Sequence, residues 1–414
     1  MRHFLFLACF FSAIGCGQQR QFKTQAEYDL YAEAAKDLAA NNPQKAITEL
    51  DTWKQKFPDS EFKDDRTALY VQAWVASNQP GKAMDLAAEI IGKDLNPNVL
   101  YVIAQAIQRI SDPTPAQLQT GAKAARALQA FERAPEGVTA EQWAQARKEM
   151  EATARAALLY TDLIPSTQAL KKKECAEAET LARKAIDDFP MSGQAAWSLG
   201  SAAACAQKIP LALYEFARAS SLDARVAMVD PKWQQATADP YMQKLYSQFH
   251  GPDAEGLKEL RALAIKSPLP TPEFQLKSSA EIEGEKTAQF RQDNPEVALW
   301  MDVKASLKAD NGTDYFESSL KDAAVPKLPG VVMEARPMCN AKELLIAVRQ
   351  PDTPLEGEIL LKLEKPIAGA IEPQSEIAWE GTATAFTPKP FQLIMSVEQS
   401  KLTGLKVSPC PKKK

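Results

Sequence analysis

Ala178 and Ala212 lie 34 residues apart inside the same local pattern, and this interval constrains the chain more than any other feature. The first copy reads CAEAETLARKAIDDFP from Cys175 to Pro190; the second opens with WSLG at Trp197 and continues as PLALYEFARASSLD to Asp223. A period of this length with a small residue in mid-unit describes pairs of antiparallel helices. Such pairs cannot bury their apolar faces alone and must stack. Upstream, Ala46 and Pro58 are 12 residues apart, as are Ala178 and Pro190, and a degenerate copy follows at Ala83, 37 residues after Ala46. Gly and Ala at these places let helices approach where larger side chains would hold them apart. Function in such arrays comes from the surface the stack presents, so docking is expected before catalysis.

These residues resemble tetratricopeptide repeats. Counting from Gly193, Leu199 and Gly200 stand at positions 7 and 8, Ala212 at 20, Phe216 at 24 and Ala219 at 27, where that consensus has Leu-Gly, Ala, an aromatic and Ala. Ala224 replaces the proline at position 32. The preceding copy offers Ala178, Ala182, Ala185 and Pro190, and the resemblance covers roughly Ala26 to Val226, weakest between Pro113 and Pro135. It implies an all-α superhelical solenoid with a groove lined by first-helix positions 2, 5, 9 and 12, here Gln194, Trp197, Ser201 and Ala204. Trp197 is then either a partner anchor, since aromatic residues dominate interface energetics, or plain core packing. The Lys and Asn of the family's carboxylate-binding clamp are missing from these positions, which argues against a C-terminal chaperone tail as ligand.

Residues 1–16 read as a secretory signal: Arg2 and His3 precede an apolar run, Phe4 to Phe11, followed by small residues. The run is too short to span a bilayer, and no other segment approaches 18 apolar residues. Gly15-Cys16 resembles the bacterial lipobox, in which the cysteine is lipidated and becomes the new N-terminus. Ala13 departs from that pattern, so ordinary signal cleavage is the competing reading. Of six cysteines, Cys9 and Cys16 belong to this leader. The other four group two by two. Cys175 starts the second helix of one repeat and Cys205 ends the first helix of the next, ends that antiparallel stacking brings together. Cys339 and Cys410 bracket the C-terminal segment. Two disulfides would fit an oxidising compartment; four unpaired thiols are the alternative.

A net charge of −4 gives no footprint for nucleic acid, and the Lys412 to Lys414 tail reads as solvated. Phosphate-loop, dinucleotide and zinc-finger spacings are absent, so no cofactor or metal is expected. Once His3 leaves with the signal, one histidine remains, His250, read as an exposed helix-end residue. This removes Ser-His, Cys-His and multi-histidine chemistry and leaves carboxylate-only hydrolysis as the enzymatic alternative.

From Asp230 the repeat register is lost. Trp233, Tyr241, Leu245 and Phe249 are placed to cover the last repeat, as a solenoid cap must. A short helix with Leu257, Leu260 and Leu263 follows, ending at Pro268, Pro270 and Pro272, read as a stiff connector. A further helix over 296–309 puts Leu299, Trp300, Val303 and Leu307 on one stripe, and Tyr315 to Leu320 continues a helical linker. Beyond Pro326 the apolar period changes to 2, with strand-like runs at Val331–Ala335, Leu344–Val348, Glu358–Leu363, Glu376–Ala385 and Phe391–Val397. Turns are expected at Asp352-Thr353-Pro354, at Gly369 and at Pro388-Lys389-Pro390. Five short strands suggest a small antiparallel β-barrel or sandwich. The run PQSEIAWEGTATAF is loosely similar to the fourth strand of oligonucleotide/oligosaccharide-binding barrels. The expected division is thus signal 1–16, repeats 17–229, capping helices and linker 230–325, and β-domain with basic tail 326–414. The layout resembles bacterial envelope lipoproteins carrying such repeats. It points to a lipid-anchored, non-enzymatic scaffold facing the periplasm that docks another envelope protein or peptide. The alternative puts binding of a glycan or protein in the β-domain, with the repeats as a spacer.

Overall fold

The computed structural model describes residues 21–410 apart from 133, 135, 136 and 352. Residues 1–20, with Cys9 and Cys16, and Asp352 of one expected turn lie outside the described residues, as do Lys412 to Lys414. The chain divides into two compact units, Met1–Lys277 and Ser278–Lys414.

The first unit is built from helix pairs: α1 (Gln25–Ala39) with α2 (Pro43–Lys56), α3 (Lys63–Ala76) with α4 (Pro80–Ile90), and α5 (Pro97–Ile107) with α6 (Pro115–Gln129). α7 (Ala140–Lys171) follows with α8 (Cys175–Asp188), then α9 (Gly193–Cys205) with α10 (Ile209–Ser221). Four of these pairs share one turn. Asn41, Asn78, Lys173 and Gln207 adopt left-handed backbone with φ of 58°, 58°, 63° and 60°. Each stands five residues before its buried alanine: Ala46, Ala83, Ala178 and Ala212. The next N–H bonds back to the carbonyl five residues earlier: Asn42 to Asp37 at 2.8 Å, Gln79 to Trp74 at 2.8 Å, Glu174 to Ala169 at 3.0 Å and Lys208 to Ala203 at 2.9 Å. This Schellman geometry satisfies carbonyls that a helix end leaves orphaned. The small residues do what close packing asks of them. A Cβ on Gly200 would lie 2.8 Å from the Phe216 ring, and one on Gly121 would lie 2.8 Å from Ile107.

The third pair is where the repeat pattern fades. Its turn is longer, and α6 begins instead with a capping box between Thr114 and Gln117. α7 is a single helix of 32 residues, although the sequence pattern starts a unit only near Ser166. Thr139 caps it with a second capping box, and Pro165 is carried inside the helix.

Past α10 come α11 (Ala224–Ala227) and α12 (Pro231–Trp233), which runs through a π turn (Gln234–Ala238) into α13 (Asp239–Phe249), and then α14 (Ala254–Ala264). Gln234 Nε2 donates to the carbonyls of Ala219 and Leu222 at 3.0 and 2.9 Å, capping α10. Leu260 is buried as expected, whereas Leu263 is 40% exposed. The proline-rich segment is no free connector. Tyr214 and Arg218 donate to the Ser267 carbonyl at 3.0 and 2.7 Å, Arg218 also bonds the Ala264 carbonyl at 2.9 Å and the Pro190 carbonyl, and Phe274 meets Tyr214 edge-on at 5.2 Å. Donors on α10 thus tie the segment to the last repeat. Beside them Glu215 is fully buried with neither carboxylate oxygen hydrogen-bonded. Burial pushes its carboxyl up to about 8, with Arg218 and Arg183 pulling the other way.

In the second unit, α15 (Ser279–Asp293), α16 (Pro295–Lys308), α17 (Gly312–Tyr315) and a π turn (Phe316–Leu320) precede β1 (Ala324–Arg336), β2 (Cys339–Ala347), β3 (Ile359–Ile371), β4 (Glu376–Pro388) and β5 (Phe391–Val397). Short β6 (Leu402–Thr403) pairs with β4 and β7 (Val407–Ser408) with β3. The order is β1-β2-β3-β5-β4, and β1 also pairs with β4, so the ladder returns to its first strand. The expected all-antiparallel arrangement is corrected at one place: β3 and β5 run parallel. Strand directions cannot alternate all the way round a circuit of five, so at least one pair must be parallel. β1 and β3 are longer than the sequence runs. A register shift between Val325 and Leu328 accommodates Pro326, and Gly369, expected to end a strand, lies inside β3 at φ +104°. Leu393, Met395 and Val397 share the buried face of β5.

Trp300, Leu307, Phe316 and Leu320 belong to the same core as Leu344, Leu361 and Trp379. Trp300 Nε1 donates to Glu358 at 3.2 Å, and Lys304 pairs with the same carboxylate. The change of period at 326 therefore falls inside this unit, whose compact body reaches back to Ser278. Leu299 leaves the expected stripe and is 41% exposed, while Val297 is buried in its stead.

Candidate docking surface

Gln194, Trp197, Ser201 and Ala204 project from one side of α9, Gln194 exposed and the other three half-buried. Ser201 Oγ donates to the Trp197 carbonyl at 2.8 Å, bonding its own helix. The Trp197 ring lies 4.8 Å from Phe216, 5.2 Å from Trp233 and 5.3 Å from Tyr241, centroid to centroid. Two of these three neighbours come from the cap. Trp197 thus packs the cap against the last repeat.

Counting back from Ala46 as Trp197 is counted back from Ala212 gives Tyr31, and Tyr28 corresponds to Gln194. Neither tyrosine is among the residues expected from the sequence, although the repeat register locates both. Tyr28 is 46% exposed. Phe22 packs against Tyr28 and Tyr31 at 5.4 and 5.5 Å and stacks on Phe62 at 4.0 Å, so the chain entering the first repeat already rests on this face.

An open cleft of about 600 Å³ lies along α7, lined by Gln129, Lys148, Glu151, Ala152, Arg155 and Met228. The α7 residues stand at i, i+3, i+4 and i+7 and so share one helix face. Glu151 pairs with Arg147 at 3.2 Å. In the second unit a cleft of about 410 Å³ is lined by the end of α16, the loop after it and the β4–β5 turn, with Lys308, Phe386 and Lys389 among its walls.

Cys175 and Cys205 are joined with their Cα atoms 5.5 Å apart, and Cys339 and Cys410 with theirs 5.8 Å apart. Both separations suit an unstrained bridge. His250, expected to be exposed, has a side chain only 18% exposed; Nδ1 lies 2.7 Å from the Lys277 carbonyl and Nε2 3.5 Å from Asp253. Among the described residues no cluster of three or more His, Cys, Asp or Glu is arranged to hold a metal ion, and no helix is long and apolar enough to cross a membrane.

No protein-family model matches this chain, and no curated protein matches it in sequence. Among solved structures, the crystal structure of a tetratricopeptide repeat protein from Parabacteroides merdae covers 58% of this chain and 100% of its own, at 13% identity and a TM-score of 0.23. A likeness that slight carries no argument, so the helix pairs, their shared turns and the buried alanines are what make the first unit of this chain a helical repeat array, followed by a β-sheet domain.

Proposed function

We propose that the chain is a non-enzymatic adaptor of a bacterial cell envelope, held to the membrane by lipid on Cys16, and that its repeat array docks a partner protein or peptide. The observation that carries the docking half is the stacking of helix pairs around shared turns, which leaves an open cleft along α7 while the aromatic cap closes the far end. The anchoring half rests on Gly15-Cys16 and on two cysteine pairs suited to an oxidising compartment. The last repeat is the less suitable docking place, because Trp197, the aromatic at its groove positions, is engaged by Trp233 and Tyr241.

A second reading is favoured by the strand circuit. A five-stranded ladder that closes on β1 with its single parallel pair at β3–β5 is what an oligonucleotide/oligosaccharide-binding type of barrel would have, and such barrels host many ligands. In this reading the second unit binds a glycan or protein and the repeats act as a spacer.

One experiment addresses both. Wild type should sediment with envelope membranes and Cys16→Ser should remain soluble. After crosslinking, residues 21–277 alone should retain the partner and residues 278–414 alone should not. Retention by residues 278–414 only would replace the first reading with the second.

A further inference from the structure

We propose that the cleft along α7 binds an extended acidic peptide, with Lys148 and Arg155 each receiving one carboxylate. This rests on the docking reading above and specifies its partner.

Lys148 and Arg155 are exposed, line the same cleft and make no hydrogen bond or ion pair among the described residues. The only acid in the lining, Glu151, is offset by Arg147 at 3.2 Å. The cleft therefore presents two uncompensated cations in a chain whose net charge is −4, which selects for anionic ligands by complementarity. Their spacing selects further. Seven residues of helix separate them by about 10.5 Å along the axis. In a polyproline-II peptide, residues three apart share a side and lie about 9 Å apart, a gap that flexible Lys and Arg side chains can close. A helical ligand reaches this separation only with carboxylates seven residues apart, about 10.5 Å. An extended one does so within a single short acidic segment, and proline-framed peptides hold the ligand in the extended form.

The rest of the lining suits a backbone threading between the cations. Ala152 stands between them and leaves room for the peptide. Gln129 offers a side-chain amide that can both donate to and accept from a peptide group. Met228, also in the lining, brings a thioether able to adapt to different side chains. The planar Arg155 guanidinium can take its carboxylate through two parallel bonds, whereas Lys148 acts as a point charge, so Arg155 should contribute more to specificity.

The test uses the full-length protein and fluorescent proline-framed peptides, read by anisotropy at near-physiological salt. One peptide carries two Glu three residues apart, a second carries Gln at both places, and a third carries two adjacent Glu. The first should bind at least about tenfold tighter than the other two. Lys148→Glu with Arg155→Glu should lose at least about tenfold, since reversal replaces two attractions with two repulsions. The milder Lys148→Gln with Arg155→Gln should lose about tenfold, as the Gln peptide does, with an unchanged melting temperature. Lys56→Glu, an exposed lysine on α2, should bind as wild type. Equal binding of the spaced and adjacent Glu peptides, or wild-type affinity in the doubly reversed variant, overturns the proposal. If that variant still captures the envelope partner as wild type does, the docking reading stands and the cleft assignment falls. If no position on the repeats captures a partner, the docking reading fails whatever the peptides do.

Discussion

Glu215→Gln isolates the least comfortable group in the repeat array. The carboxyl sits on α10 with no exposure and no hydrogen-bond partner for either oxygen, and burial holds it near 8. In the unfolded chain it returns to the ordinary carboxylate range. Below about pH 4.5 both states carry the proton, and this group does not penalise the fold. Between that value and about 8 the unfolded chain ionises first, so stability falls as pH rises. Each tenfold in the protonation equilibrium is worth about 1.4 kcal/mol, so the full penalty above pH 8 is on the order of 5 kcal/mol. Gln copies the shape of the neutral acid and has no proton to lose. The variant should match wild type near pH 5 and exceed it above pH 8. For a unit of this size that corresponds to a gain on the order of 10 °C in melting temperature. The assay is thermal unfolding followed by circular dichroism from pH 5 to pH 9. A difference between the two proteins that stays flat across this range would refute the reasoning, because the carboxyl would then be ionised and solvated in the fold.

Other expectations follow from packing and cross-links. Gly200→Ala should destabilise by about 1–3 kcal/mol in chemical denaturation, since its Cβ would meet Phe216 at 2.8 Å, whereas Gly81→Ala, with nothing within 4 Å, should be neutral or stabilising. Cys175→Ser with Cys205→Ser should cost on the order of 3 kcal/mol in the entropic account of a loop with sequence separation 30, seen as a lower melting temperature of the repeat unit without reductant and a smaller loss on reduction than wild type shows, the remainder belonging to Cys339–Cys410. Trp197→Ala should lower stability by about 2–4 kcal/mol through its three lost ring contacts while leaving partner capture unchanged; loss of capture at unchanged stability would restore Trp197 as an anchor.

The repeat array was legible where steric need dictates residue type. Ala178, Ala212, Gly200 and Phe216 are forced by close helix approach, and their spacing survives in the sequence. The shared turn was not legible, because Asn41, Asn78, Lys173 and Gln207 take left-handed backbone without the glycine that usually announces it. α7 hid its length because Pro165 reads as a boundary, yet the helix carries it inside. In the second unit the alternation in β5 follows directly from one buried face. β1 and β3 were underestimated because Pro326 and Gly369 normally end strands and here sit at a register shift and within a long strand. The packing of Trp300 and Phe316 beneath the strands could not be read from helical period alone, which shows that a stripe is buried but not by what. The same limit applies to the docking surface. Trp197 is aromatic and on the expected face, but its burial by Trp233 and Tyr241 is a tertiary fact. Lys148 and Arg155 become a pair only once α7 is seen as one helix.

The most direct measurement of the central claim is photocrosslinking in the intact envelope, with a photoreactive residue placed at Ala152 in one protein and at Lys389 in another. The account expects a single predominant adduct from position 152, mapped by mass spectrometry to an acidic segment of one partner, and none of comparable yield from position 389. An adduct from position 389 with none from 152 would contradict it and assign binding to the second unit.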